Sequence, residues 1–149
     1  MKYWLLKSEP AAYSIEDLAR DGVTAWTGVR NYQARNFLRD GMRRGDRAFF
    51  YHSGCEEPGI VGIVEVSKAA YPDVMQFDRK SRYYDPGSSR ENPRWLNVDV
   101  KFVSKARLVG LAELRRHKAL RNMQVLKRGN RLSITPVATV EWNFIMDLL

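Results

Sequence analysis

The chain has 149 residues, of which 44% are hydrophobic, and this is enough to bury an ordinary core in one domain spanning residues 1–149. Lys and Arg number 25 against 17 Asp and Glu, and the resulting formal charge of +8 favours a polyanionic partner. The single cysteine excludes an internal disulfide, and one Cys with two His cannot complete a four-ligand zinc site, so we expect neither a metal nor another cofactor.

The first ten residues, MKYWLLKSEP, contain only four apolar residues in a row before Lys7. A signal peptide needs a longer apolar stretch, and no run in the chain approaches the length that spans a membrane. We therefore predict a cytosolic protein, or a nuclear one in a eukaryote, with no membrane partner. The sequence does not indicate an oligomeric state.

The first predicted elements are a strand and a helix. The strand covers Tyr3–Ser8. Ser14 then provides a helix N-cap, with Asp17 three residues on as in a capping box, and Gly22 ends the helix.

A second helix and a hairpin follow. Asn31 is a good N-cap for a helix over residues 32–39. Alternating residues at 48–53 predict a strand, and residues 60–66 predict its hairpin partner. Gly62 lies in the middle of the second strand, where glycine often marks a bulge or the close approach of another group.

The rest of the chain combines a long polar loop with short elements. The alternation of apolar and polar residues from Leu96 to Phe102 predicts a strand. Several short strands with helices between them suggest an α+β fold around a small barrel. The other predicted elements are the loop 77–93, helical pieces at 111–116 and 122–127, a strand at 131–134, and a last helix capped by Thr135 and Pro136.

The segment 26–39 combines an aromatic residue, a glycine and a basic helix start. The Trp26 indole is a candidate wall of a cavity, and the helix amides after Arg30 are a natural place for a phosphate. The alternative is a core tryptophan beside a solvated basic face. The residues that share one helix face, spaced by four, are Asn31, Arg35 and Arg39.

The tripeptide Tyr51-His52-Ser53 ends the first strand of the predicted hairpin. A serine beside a histidine suggests a nucleophile, but neighbours on a strand point to opposite faces, and no GxSxG motif surrounds Ser53. We assign no catalytic residue. Tyr51 and Ser53 are instead predicted to line a pocket and to hydrogen-bond the edge of a base.

Basic residues dominate the second half of the chain. Between Lys101 and Arg131 ten cations accompany one acid, Glu113, which favours a phosphate-tracking surface over a mixed solvated face. In the long loop, cations alternate with Tyr83 and Tyr84, as they do in proteins that bind single strands or extruded bases. The residues expected to contact phosphates are Arg35, Arg39, Arg79, Arg82 and Arg90.

Seven segments, taken in order over nearly the whole chain, resemble the EVE-domain family. They are YWLLKSEP, WTGVRNYQARNFLR, GDRAFFYHS, GIVGIVEV, AYPD, PRWLNVDV and RLSITPV. The resemblance implies a PUA-like fold, a small β-barrel surrounded by short helices, related to the YTH and SRA-type readers of modified bases. It also implies a non-enzymatic reader that holds a modified base, such as a modified cytosine, in a pocket.

The motif matches place three groups of residues near that pocket. We expect an extruded base to stack on Trp26, with Asn31, Ser53 and backbone groups at its edge. The complete predicted set is Trp26, Val29, Arg30 and Asn31, then Tyr51, His52 and Ser53, with Lys7, Ser8, Glu9, Arg131, Leu132 and Ser133 as further walls.

Two functions of other classes stay open. An enzyme or binding protein for a small, anionic, nucleotide-like ligand would use the helix start at Arg30 and Asn31, with His52 as an acid or base. No carboxylate pair, metal cluster or phosphate-binding glycine loop accompanies His52. A protein-interaction module would use the basic face on an acidic partner. The sequence does not distinguish DNA from RNA.

Overall fold

The computed structural model describes residues 1–149, and its centre is one mixed six-stranded sheet. The strand order is β2-β5-β4-β3-β1-β6, with β1 and β3 parallel and every other neighbouring pair antiparallel. The strands are β1 (Tyr3–Ser8), β2 (Val23–Ala25), β3 (Arg47–His52), β4 (Gly59–Pro72), β5 (Leu96–Gly110) and β6 (Ile134–Val137).

Four short α-helices pack against the sheet, and the first two begin as their sequences predict. The Ser14 hydroxyl accepts from the backbone N–H of Asp17 in a capping box, and the Asn31 side chain accepts from the Ala34 N–H. The helices are α1 (Ile15–Asp21), α2 (Tyr32–Asn36, continued by a π-helical turn at Phe37–Gly41), α3 (Leu111–Arg116) and α4 (Thr139–Met146); 3₁₀ turns lie at Val74–Phe77, Lys118–Leu120 and Gln124–Leu126.

The strands divide the interior into two apolar cores. Successive strand residues point to opposite faces, so Trp4 and Leu6 of β1 join one core while Leu5 joins the other. The first core, called here the α1 core, packs α1 and α2 against the sheet. The second core packs α3 and α4 against the other face. The α+β class is confirmed, but β2 and β6 remain unpaired edges, so the expected barrel is not confirmed.

The predicted close approach at Gly62 is confirmed. A Cβ built there would lie 2.5 Å from the Ile15 Cδ1 atom, so the glycine lets α1 pack directly on β4. The β3–β4 register shifts between Phe50 and Tyr51, and this bulge lies at the same place in the sheet.

Several predicted boundaries are wrong. Strands β4 and β5 run well past residues 66 and 102, because they pair with each other along most of their length. The last strand is Ile134–Val137 instead of 131–134, so Thr135 and Pro136 lie in a strand and do not cap α4. Pro136 is tolerated there because β6 is an edge strand.

Candidate nucleic-acid interface

A cavity of about 440 Å³ opens beside the amino-terminal end of α1 and the end of β2. This volume falls within the usual range for pockets that hold small ligands. Its lining mixes aromatic, hydroxyl and charged side chains. The lining residues are Ser8, Glu9, Ala12, Tyr13, Thr24, Ala25, Trp26, Thr27, Arg82 and Tyr83.

Trp26 serves both the core and the cavity. It belongs to the α1 core, is 8% exposed, and meets Phe50 edge to face with ring centroids 5.6 Å apart. Its backbone N–H donates to the Val98 carbonyl, which fixes the indole next to the end of β2. Trp26 is also one of the residues that line the cavity.

Glu9 brings a carboxylate to the cavity. Its side chain lies over Gly54, where an added Cβ would be 3.1 Å from the Glu9 Oε1 atom. No Lys or Arg lies within 4.0 Å of this carboxylate. Ser8 is less available, because its hydroxyl already donates to the Tyr13 carbonyl at 2.6 Å. Glu9 is therefore a free hydrogen-bond acceptor at the cavity.

Tyr83 and Arg82 reach the cavity from the long loop between β4 and β5. The Arg30 guanidinium fixes this part of the loop, because its Nε and Nη2 atoms donate to the Tyr83 carbonyl at 3.1 and 2.9 Å. The same guanidinium lies 5.3 Å from the Tyr83 ring centroid and 5.5 Å from that of Trp95. Arg30 thus holds the loop in place, and these contacts occupy several N–H donors of its guanidinium.

Asp73 completes this attachment. Its fully buried carboxylate accepts from Arg30 Nη1 at 3.0 Å and from the Gly28 backbone N–H at 2.9 Å. Gly28 has a φ of +83°, and a Cβ there would lie 2.9 Å from the Tyr83 ring. The glycine therefore lets the loop pack closely against the segment that follows Trp26.

The interior of the loop is held by two further polar side chains. Gln76 is fully buried, donates to the carbonyls of Asp73 and Trp95, and accepts from the Ser88 hydroxyl and the Trp95 N–H. Asp85 accepts from the Trp95 indole N–H at 2.7 Å. This hydrogen bond, with one from the Gly87 N–H and the nearby Arg94 charge, lowers the pKa of Asp85.

His52 lies behind the cavity and does not line it. Its Nε2 atom accepts from the Ile15 backbone N–H at 3.1 Å, which anchors the first turn of α1. Burial lowers the pKa of His52, and the charge of Glu16 partly opposes this effect. The structure therefore uses a neutral histidine as a hydrogen-bond acceptor.

The predicted pocket residues divide between the two faces of the sheet. Ser8, Glu9 and Trp26 line the cavity. Lys7 and Tyr51 do not, because they are paired in the β1–β3 register and project with Leu5 toward the second core. Ser133 lies beside them, since its carbonyl accepts from the Lys7 N–H.

The remaining predicted pocket residues lie outside the cavity lining. Val29 is buried in the α1 core. The Asn31 side chain caps α2, so its oxygen is already in use. Ser53 follows β3, and its N–H donates to the Ser8 carbonyl. Arg131 and Leu132 precede β6, with Arg131 exposed and Leu132 half-buried.

The arginines expected to contact phosphates have different environments. Arg39 forms two hydrogen bonds to Asp40, and Arg35 bonds to Asn36 and to the Arg94 carbonyl. In the loop, Arg82 and Arg90 lie over the rings of Tyr83 and Phe77. Arg79 is exposed and forms no ion pair.

The basic run from Lys101 to Arg131, which begins within β5, divides at Arg115. Three cations before that residue form ion pairs: Lys101 with Glu65, Lys105 with Glu16, and Arg107 with Glu113. The cations that follow are exposed and have no carboxylate within 4.0 Å, and we call them the basic segment. They are Arg115, Arg116, Lys118, Arg121, Lys127, Arg128 and Arg131.

Sequence reasoning missed six of the ten residues that line the cavity. The turn residues Ala12 and Tyr13, the edge-strand residues Thr24 and Ala25, and Thr27 carry no motif that points to a pocket. Tyr83 had a signal, because it stands among cations in the loop. Its role as a wall depends on contacts to Arg30, 53 residues away, which no local pattern indicates.

An aromatic cavity with a free carboxylate, in a chain that also carries a segment of unpaired cations, is suited to binding a base and its phosphate backbone. The EVE domain family model matches residues 2–148, so the chain belongs to the EVE domain family. None of its helices has both the length and the hydropathy that a bilayer crossing requires.

Named relatives and solved structures agree with this assignment. Thymocyte nuclear protein 1 of Gallus gallus is 49% identical over 166 aligned residues, which cover 98% of this chain and 68% of that protein. The crystal structure of the human THYN1 protein in complex with 5-methylcytosine-containing DNA is similar with a TM-score of 0.93, 46% identity, and coverage of 99% of this chain and 97% of that one. A Pseudomonas syringae protein is similar with a TM-score of 0.94, 46% identity and 98% coverage of both chains.

Proposed function

We propose that this protein is a non-enzymatic reader that holds a modified cytosine of DNA in the cavity beside Trp26. The observation that carries the proposal is the cavity itself, whose lining combines three aromatic residues, Tyr13, Trp26 and Tyr83, with an unpaired carboxylate. The similar human protein solved with 5-methylcytosine-containing DNA supports DNA as the partner. The proposed location is a compartment that contains nucleic acid.

The cavity offers both contacts that a cytosine needs. Trp26 and Tyr83 present aromatic surface for stacking. Glu9 presents an acceptor for the exocyclic amino group, which is the hydrogen bond that carboxylates make to cytosine. We propose these three residues, with Ser8 and Thr27 at the rim, as the base-binding set. We retain Arg82 as a candidate phosphate contact, because it lies both at the cavity and on the loop surface.

The free energies explain why the cavity needs a cationic surface. Extruding a base from a duplex costs about a few kcal/mol. Stacking on one aromatic side chain returns roughly 1–3 kcal/mol. These two contributions nearly cancel, so phosphate contacts must supply most of the affinity. The basic segment is the proposed source, and binding should weaken steeply as salt increases, with a log–log slope of about −0.9 per duplex phosphate neutralised.

Selectivity for the modification needs more than burial of one methyl group. A buried methyl contributes about 0.8 kcal/mol, which is roughly a fourfold difference in binding. A larger preference would require a penalty against the unmodified base, such as water or a polar group left without a hydrogen-bond partner in the cavity. The ratio of the affinities for DNA with modified and with unmodified cytosine therefore shows whether burial of the methyl group alone accounts for the selectivity.

The decisive experiment compares labelled duplexes of one sequence that carry cytosine, 5-methylcytosine or 5-hydroxymethylcytosine, together with the matching RNA. We expect preference for one modified DNA. Equal binding of all duplexes would instead indicate general electrostatic binding, and an absence of binding would overturn the proposal.

Trp26→Phe provides the matched test of the cavity, with Trp4→Phe as its control. Both tryptophans are buried in the α1 core, but only Trp26 lines the cavity. We expect Trp26→Phe to lower affinity for the preferred duplex by up to roughly tenfold and to leave unmodified DNA nearly unaffected. Trp4→Phe should change neither affinity. Equal losses from the two variants would assign Trp26 a structural role only.

A further inference from the structure

A second group of polar side chains lies at the same end of the sheet as the cavity, but on the opposite face. Lys7 is paired with Tyr51 across the parallel β1–β3 ladder, and its N–H donates to the Ser133 carbonyl at 2.8 Å. Residues directly opposite each other on neighbouring strands project to the same face. The Lys7 and Tyr51 side chains therefore project to the same face, and Ser133 lies opposite Lys7, one residue before β6.

All three side chains can donate hydrogen bonds, and none of them has a carboxylate partner. No acidic oxygen lies within 4.0 Å of the Lys7 ammonium. Tyr51 is only 2% exposed, yet its hydroxyl bonds to no other residue. Since every fully buried polar side-chain atom has a partner, this hydroxyl must reach the surface.

Electrostatics at this group favour an anion. Burial lowers the pKa of Lys7, and no acidic neighbour compensates for the lost hydration of its charge. Burial raises the pKa of Tyr51, and the charge of Arg115 opposes this effect. Glu56 and Glu57 share a surface groove with Arg115 but form no ion pair with it.

The position relative to the cavity indicates which anion would bind. Ser8 lines the cavity, and Lys7 is its neighbour on β1, pointing to the other face. Adjacent Cα atoms are about 3.8 Å apart, so the two groups lie on opposite faces of the sheet at the end of the same interior strand. A DNA strand that delivers a base to the cavity and passes this end of β1 would bring a flanking phosphate to the second group.

We propose that Lys7, Tyr51 and Ser133 form a subsite for the backbone phosphate next to the extruded base. The proposal rests on the proposed function, and it gives these residues a role distinct from contact with the base. A lysine ammonium with two hydroxyl groups can donate to several oxygens of one phosphate. The subsite thereby fixes the position of the strand so that the base enters the cavity.

The test is a double-mutant cycle between the protein and the DNA backbone. Each phosphate flanking the modified cytosine is replaced in turn by an uncharged methylphosphonate, and each duplex is titrated with the wild-type protein and with Lys7→Met. At one position, wild type should lose roughly tenfold in affinity, while Lys7→Met loses almost nothing further. Lys7→Met should also reduce the salt slope by about 0.9.

Two variants complete the cycle. Lys105→Met makes the same chemical change at an exposed lysine that is ion-paired with Glu16 at 3.7 Å, and it should couple to no phosphate. Tyr51→Phe removes only the hydroxyl, so it should lower affinity a few-fold without changing the salt slope. If Lys7→Met fails to fold, Tyr51→Phe and Ser133→Ala must show the coupling at the same phosphate.

The outcomes separate this subsite from the reader function. Additive losses at every phosphate, or full affinity of Lys7→Met, would overturn the subsite even if the protein prefers 5-methylcytosine. Coupling at one phosphate without any preference among cytosines would support the subsite and overturn the reader. The affinity loss at each phosphate and the affinity ratio between modified and unmodified cytosine come from the same titrations, since each duplex is made with and without the modification.

Discussion

The loop between β4 and β5 and the basic segment are both rich in cations, but the structure uses them differently. In the loop region Arg30 is bound to Asp73 and the Tyr83 carbonyl, and Arg94 lies 3.5 Å from Asp85. In the basic segment no cation has a carboxylate within 4.0 Å. Arg30 and Arg94 therefore maintain the shape of the loop, while the cations of the basic segment stay available to a partner.

This difference shows why counting cations along a sequence is not enough. The formal charge of +8 describes the whole chain. A guanidinium that already binds a carboxylate and a carbonyl has few N–H donors left for a phosphate. An exposed lysine without a partner, in contrast, can neutralise a phosphate and release counterions when DNA binds. The cavity consequently depends on the attached loop for its Tyr83 wall, whereas in the proposed function the affinity for DNA depends on the basic segment.

The largest expected effect tests the attachment of the loop. Asp73→Ala would leave Arg30 without its carboxylate and the Gly28 N–H without an acceptor, both in a buried setting. We expect the free energy of unfolding to fall by about 3–5 kcal/mol, measured by urea denaturation. The preference for a modified cytosine should fall as Tyr83 loses its position.

Asp78→Ala is the control for this prediction, because Asp78 is an exposed carboxylate in the same loop that accepts from the Lys80 N–H. Its expected cost is within about 0.5 kcal/mol. If the two variants were equally stable, the loop would not be held by Asp73 and the contrast between the two regions would disappear.

The second prediction concerns the salt dependence of DNA binding. Changing Arg116, Lys127 and Arg128 together to Gln removes three charges that have no acidic partner. The log–log slope against salt should decrease by up to about 2.7, because each phosphate that is no longer neutralised accounts for about 0.9. Fluorescence anisotropy across a salt series measures this slope.

A second triple variant removes the same number of positive charges, but from arginines that form ion pairs. Arg20, Arg39 and Arg107 each bind a carboxylate, so their replacement by Gln should change the slope much less. The experiment also decides the predicted phosphate contact of Arg39. Equal decreases for the two triple variants would mean that ion pairing does not govern which cations meet DNA.

The smallest expected effect is an acid dependence of stability that the loop has and the basic segment lacks. The Trp95 indole N–H, the Gly87 N–H and Arg94 hold the pKa of Asp85 below its ordinary value of 3.8. Because the folded-state pKa is the lower one, the stability that Asp85 contributes is present above the ordinary value and is lost as pH falls through the folded-state pKa. No carboxylate lies in residues 115–131, so the basic segment has no such dependence.

Asp85→Asn removes the titrating group and should flatten this part of the pH profile of stability. Unfolding in urea between pH 5 and pH 2 gives the two profiles, and their difference isolates Asp85. Parallel profiles would show that the hydrogen bond from Trp95 does not depend on the charge of this carboxylate.

Local features of the fold were predictable from the sequence because the responsible contacts are local. The Ser14 capping box and the Asn31 N-cap each join residues three apart, and strand alternation predicts the two faces of β3. The same alternation does not tell which of two buried faces holds a cavity. Tyr51 and Lys7 were therefore placed with Ser8, although their side chains project to the second core.

By itself, the sequence determined the α+β class, the helix starts, the family resemblance and the excess of cations, since these follow from spacing and composition. The tertiary structure decided which cations are free and which residues meet at the cavity. Asp73 meets Arg30 across 43 residues, and the same guanidinium donates to the Tyr83 carbonyl across 53 residues. Such contacts depend on how the chain folds back on itself, and no local pattern of residues records that path.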